Sequence, residues 1–266
     1  MRHDDAFPRT EAPGHRQVTA HPELVPEPVA ASWRRPVAVT LGVAWVALYN
    51  WWVPVAFDRR LMTSPNEFFS DLEATGRTDA TVLQHLDLAA GLVLVVALLV
   101  RGPLGRTGRR AEWPWLVAMG VAGAIGGQFS YACPEGLSAS CRAEEWRLAL
   151  PHHHYVHVIA GIAEFAFGTV AVYKAWKRTR PKENGVTRAI RWTGRVLVIA
   201  YPFLGIAYLT DRFGAFVEPI FFTCFSVMVV VELLETDRVE RRAGREAARV
   251  PLVRRLRDEL DAAHGA

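Results

Sequence analysis

Six apolar runs, separated by charged or polar segments, dominate this chain: 37–57, 82–100, 113–131, 154–176, 196–209 and 216–234. About 20 apolar residues in helical form reach across a hydrocarbon layer roughly 30 Å thick. Lipid offers no hydrogen bonds, so a spanning segment of this kind satisfies its backbone internally, as a helix. A soluble fold has no need of such recurrence. The mean hydropathy of +0.10 conceals it, because very apolar stretches are averaged with very charged ones. The expected fold is all-α, an integral membrane bundle of six helices. The fifth run is the weakest; its apolar core is short unless Trp192 and Arg195 reach the interface, where a ring and a snorkelling guanidinium are tolerated.

Basic residues sort onto alternate connections. Arg34 and Arg35, the four Arg of 101–110, the segment 177–195 and the tail from Arg238 to Arg257 fall on one side. The other side carries Arg59, Arg60, Arg77, Arg142, Arg147 and Arg212, interspersed with acids. The positive-inside rule puts the first side, and both termini, in the cytoplasm. The formal charge of +4 is then a topological signal and gives no support to nucleic-acid binding. The residues before the first run are rich in Pro, His and charge and lack an apolar signal-peptide region. Three parts follow: a disordered cytoplasmic tail (1–33), a six-span domain (34–235) and a basic amphipathic cytoplasmic tail (236–266). That last tail carries Leu252, Val253, Leu256 and Leu260 at helical spacing, and anionic lipid attracts such a segment by about 1 kcal/mol per basic residue. A solvated helix is the other reading.

Two outer connections are long enough to hold structure, 58–81 and 132–151. The second contains Cys133 and Cys141, two of the chain's three cysteines, and on an oxidising side they are expected to form a disulfide worth about 2–3 kcal/mol. Two free thiols are the plainer alternative. Cys224, within the last run, reads as an apolar filler. In the first connection, Ser70 or Asp71 is placed to cap a short interfacial helix that Gly76 would stop. It reads either as a lid or as a plain connector.

Polar residues inside a span are costly, so each is a hypothesis about function or packing. Gln84, Asp87 and Gly91 share one face of the second span, with His85 beside them. The fourth opens with His152, His153 and His154, then His157, and continues one face through Gly161, Glu164 and Gly168. Asp211 and Glu218 stand at the outer ends of the last two spans. A candidate polar pocket therefore comprises His85, Asp87, His153, His154, His157, Glu164 and Glu218. Helical spacing lets His153 and His157 present two imidazoles together, and with His85 they are a candidate zinc set. Amphipathic interfacial rings are the alternative. Glu164, with no basic residue near it in its span, reads as helix–helix glue or as a proton or ligand site. Gly120, Gly123, Gly126 and Gly127 read as a close-packing surface for a neighbouring helix.

The run Ser70-Asp71-Leu72-Glu73-Ala74-Thr75-Gly76, the sequence Asp87-Leu88-Ala89-Ala90-Gly91, the stretch from Cys133-Pro134-Glu135-Gly136 to Cys141-Arg142-Ala143-Glu144-Glu145, and His154 to His157 occur in that order. Together they resemble the bacterial membrane proteins grouped as domain of unknown function 998, and more distantly the six-span FRAG/DRAM-type proteins. The resemblance implies a six-helix bundle of the cell membrane with both long connections on one side. It carries no catalytic residue to transfer, and the triple His and the basic tail depart from it.

Two functions from different classes fit these residues. One is a multi-pass membrane protein that binds lipid or a partner through an outer-leaflet polar pocket. The other is a metal-dependent intramembrane lipid hydrolase or other lipid-modifying enzyme, with His85, Asp87, His153 and His157 as ligands or acid–base groups. A proton-coupled carrier using Glu164 and Asp87 is a third, disfavoured by the lack of an internal repeat. Substrate and oligomeric state are not legible.

Overall fold

The computed structural model describes residues 33–58, 60–101, 111–179 and 185–232. The expected tails at 1–33 and 236–266 lie outside these residues, apart from Trp33. So do the basic segments 102–110 and 180–184.

The first apolar run forms α1 (Arg34–Tyr49), with Pro36 in its first turn, where a missing N–H costs nothing. Asn50 ends it: its Nδ2 donates to Val46 O at 2.7 Å and to Ser226 Oγ at 2.8 Å. A short α2 (Trp52–Ala56) continues the chain. A 3-10 turn (Phe69–Glu73) lies in the first long connection. There follow α3 (Ala80–Arg101), α4 (Trp113–Gln128), α5 (Ala139–Trp146), α6 (His152–Thr179) and α7 (Gly185–Thr210). The last of the described helices, α8 (Gly214–Glu232), follows a three-residue turn at 211–213. Among the described residues there is no strand; Ala74 and Tyr131 make one isolated bridge.

The long helices pack in a sequence the chain order does not announce: α1 on α3, α3 on α4, α4 on α6, and α6 on α7. Glycines set the closest approach. A Cβ at Gly91 would lie 2.6 Å from Gly120 O, and one at Gly127 would lie 2.7 Å from Gln84 O. Backbones this close exclude any side chain between them, so α3 and α4 are held by the small-residue surface expected for 120–127. The deepest side chains gather around α8, where Phe221 and Phe225 are buried against Phe165 of α6. Tyr49 of α1 meets Phe222 edge-on at 5.4 Å. Thus α8 contributes much of the centre of the bundle.

Among the described residues five helices are long and apolar enough to cross a membrane: Pro36–Ala56, Ala80–Arg101, His152–Arg178, Thr187–Thr210 and Gly214–Glu232. The fifth run, short as an apolar core, is here part of a 26-residue helix. Its added turns carry Trp192, with the Arg195 guanidinium 5.5 Å from the ring. α4 is only 16 residues long but runs the length of the bundle. Its start is tied to the ends of α6 and α8, because Arg178 pairs with Glu112 at 2.6 Å and Glu232 at 3.3 Å. Its end lies beside the starts of α3 and α6.

Candidate functional site

The connections at the α6 start build a cap over that end of the bundle. Cys133 and Cys141 are bonded, as expected of two cysteines in one outer connection, and close a small loop against α5. Arg142, next to this bridge, is buried and surrounded by acceptors. Its guanidinium pairs with Glu135, stands 3.2 Å from Glu145 and 3.3 Å from Asp211, and donates to Tyr208 O. Tyr208 also faces it, with the guanidinium 4.6 Å from the ring. Tyr131 Oη donates to Glu135 at 2.6 Å and Tyr208 Oη to Glu145 at 2.6 Å. A buried guanidinium is tolerable only when its donors are met, and here Glu135, Glu145 and the Tyr208 carbonyl accept from it, with Asp211 beside it as a further opposite charge.

The first connection is fixed in the same way. Glu67 is fully buried; it accepts from Thr63 N at 2.9 Å and Ser64 N at 3.1 Å, and pairs with Arg77 at 2.5 Å. Asp71 lies within the 3-10 turn rather than ahead of it, accepting from Phe68 N at 3.0 Å and from Gly136 N at 3.4 Å. Burial pushes its carboxyl up to about 7, against the lowering effect of those two amides. Gly76 ends the segment with φ of +87°, a left-handed conformation that suits glycine.

Below the cap, α6 and α7 diverge to leave a crevice of about 270 Å³. Val158, Ile162, Phe165 and Leu204 form its walls, with Gly161 and Gly205 opposite open space. Ser70, Tyr131, Glu135, His157, Tyr208 and Glu218 provide polar groups at the cap end. Ile162 and Tyr201 both line it and are exposed, so the crevice opens through the apolar side of the bundle. Glu218 is anchored there by the Phe69 amide at 2.5 Å.

The expected pocket residues divide among several surroundings. His157 and Glu218 line the crevice. His157 Nδ1 is 3.0 Å from Gly126 O and 2.8 Å from Phe129 O. Carbonyls only accept, so Nδ1 carries the proton and caps the end of α4. Asp87 and Glu164 instead face a small void between α1, α3, α4 and α6, with room for about one water. Trp51 Nε1 donates to Asp87 at 2.5 Å. His154 is fully buried, accepting from Ala132 N at 3.3 Å, with its ring 4.6 Å from Tyr131. His153 is half-buried, and His85 is exposed. Among the described residues no three His, Cys, Asp or Glu side chains are grouped to hold a metal, so His85, His153 and His157 are not brought together as a zinc set.

Tyr49, Trp51, Glu73, Tyr131, Glu135, Arg142 and Tyr208 also belong to these sites and were not legible as candidates. Arg142 has a retrospective signal in the acids seven residues before and three after it. Glu73 has none, being one acid in an acidic connection.

Helices of this length and apolarity, packed around buried polar groups, define a multi-pass α-helical membrane protein. Residues 40–235 match the family described as Protein of unknown function (DUF998), and the chain belongs to that family. No curated protein and no solved structure matches it.

Proposed function

We propose that this protein is a six-span bundle of the cell membrane that binds a lipid-like amphiphile in the α6–α7 crevice. The observation that carries the reading is the crevice itself, apolar along its walls, polar at one end and open on the apolar side. An acyl chain would lie against Val158, Ile162, Phe165 and Leu204, and a hydrogen-bonding headgroup would meet Tyr131, Glu135, His157, Tyr208 and Glu218. Such a division suits a molecule that arrives from the bilayer and is oriented by a few polar groups.

The sixth span is α4. Its 16 residues extend about 24 Å at 1.5 Å per residue, short of a full hydrocarbon layer. Shelter between α3 and α6 supports the assignment, because its ends are in contact with protein and need not reach lipid headgroups. The end bearing Arg34, Arg101, Lys177 and Arg178 is then cytoplasmic, and the disulfide-bearing cap is outside.

Native mass spectrometry of the protein extracted from its membrane tests the binding reading. A bound amphiphile is expected on the wild type and at least tenfold less of it on Gly161→Phe and Gly205→Phe. A Cβ at either glycine meets nothing within 4 Å, so each ring has open space beside it. Equal occupancy in wild type and both folded variants would overturn the reading, as would no amphiphile on the wild type.

A further inference from the structure

Arg77, Arg142 and Arg178 are each held by acids. Glu73 and Glu218 are buried, Asp87 and Glu164 half-buried, and none of the four makes an ion pair with Lys or Arg among the described residues. They come from four elements, the 3-10 turn, α3, α6 and α8, so their association is a product of the tertiary fold. Isolated carboxylates in such surroundings cost several kcal/mol each unless they take up a proton or a cation.

Two further features show where a ligand would go. The Glu73 and Asp87 carboxyls are within hydrogen-bonding reach of each other. Both are acceptors when ionised, and Glu73 Oε2, in a side chain only 1 % exposed, has no donor. A proton between them removes the conflict. Beyond Asp87, the one-water void is lined by Tyr49, Asp87 and Glu164. The Tyr49 hydroxyl, in a residue 7 % exposed, lies beside Glu164 without closing a hydrogen bond of ordinary geometry. A water there would have a phenol and two carboxyls as partners, within the two to four that a buried water needs. Burial also pushes the Glu73 carboxyl well above the ordinary carboxylate range.

We propose that Tyr49, Glu73, Asp87 and Glu164 form an enclosed proton-binding site, with one proton shared by Glu73 and Asp87 and another held on Glu164 beside a trapped water. Each uptake forms one carboxyl O–H bond from a solvent proton and leaves hydroxide in bulk water. His157 and Glu218 are the other titratable groups facing the cluster, from α6 and α8, and both line the crevice. Among the described residues no three His, Cys, Asp or Glu side chains are grouped to hold a metal ion.

Infrared spectroscopy of the full chain in detergent tests this at about pH 8, where an exposed carboxyl is ionised. The expected result is a protonated-carboxyl carbonyl band that shifts in heavy water, is unchanged when sodium is replaced by a bulky organic cation, and loses intensity in Glu164→Gln and in Asp87→Asn. Tyr49→Phe keeps every acid and should move the band without removing it. No protonated-carboxyl band in the wild type would overturn the proposal. A band that appears only after sodium is withdrawn would also overturn it, in favour of a monovalent-cation site. A missing wild-type band, or one that appears only without sodium, overturns the proposal even where a variant does not fold.

Discussion

Asp71 and Arg142 show how the cap depends on single side chains. Asp71 is almost fully buried, and burial raises its carboxyl from 3.8 to about 7. The folded protein therefore holds its proton more tightly than the unfolded chain. That contribution is fully present below about pH 4 and is lost as pH rises to about 7, so unfolding resistance should fall across this window. Asp71→Asn should flatten that part of the profile, measured as melting temperature against pH. Arg142 is the reverse case, a buried cation whose removal leaves Glu135, Glu145 and Asp211 facing one another. Arg142→Ala should destabilise the protein by about 3–5 kcal/mol, the usual cost of breaking a buried pair. Chemical denaturation in detergent would read it.

At the scale of elements, α3 and α4 are joined by absence of side chains and α6 and α7 by less intimate contact. Gly127→Val would push its side chain into the Gln84 and Leu88 backbone. A loss of about 1–3 kcal/mol is expected from such overpacking, with more rapid hydrogen exchange in both helices. Gly161→Ala, whose Cβ meets nothing within 4 Å, should instead change stability little, since it has no neighbour to displace. α7 has Pro202 within it, which removes a backbone donor mid-helix. It also borders three hollows, two towards α6 and one towards α8.

At the scale of the whole molecule, the disulfide and the acid–arginine network occupy one end, and the Arg178 cluster the other. Breaking the bridge with Cys133→Ser and Cys141→Ser should cost about 2–3 kcal/mol, the loop-closure value for a short loop, and lower the melting temperature without altering the helix content. Orientation has its own test. A cysteine at exposed Leu148, with Cys224 replaced, should react with a membrane-impermeant thiol reagent in intact cells, whereas one at Lys177 should react only after the membrane is opened. Labelling in the opposite pattern would reverse the topology.

The apolar runs, the paired cysteines and the small-residue face of 120–127 were legible in the sequence because each rests on local physics: transfer of side chains to lipid, spacing along one segment, and the size of a glycine. His157, Asp87, Glu164 and Glu218 were legible as costly polar residues, though their partners were not. Tertiary structure alone decided that Glu73 reaches Asp87, that His157 caps α4 and that His85 stands outside. It also decided that α6 and α7 part to leave a crevice. Those outcomes depend on the rotation and separation of helices far apart in the chain. Periodicity identifies a buried face, but only the packed neighbours determine what that face meets.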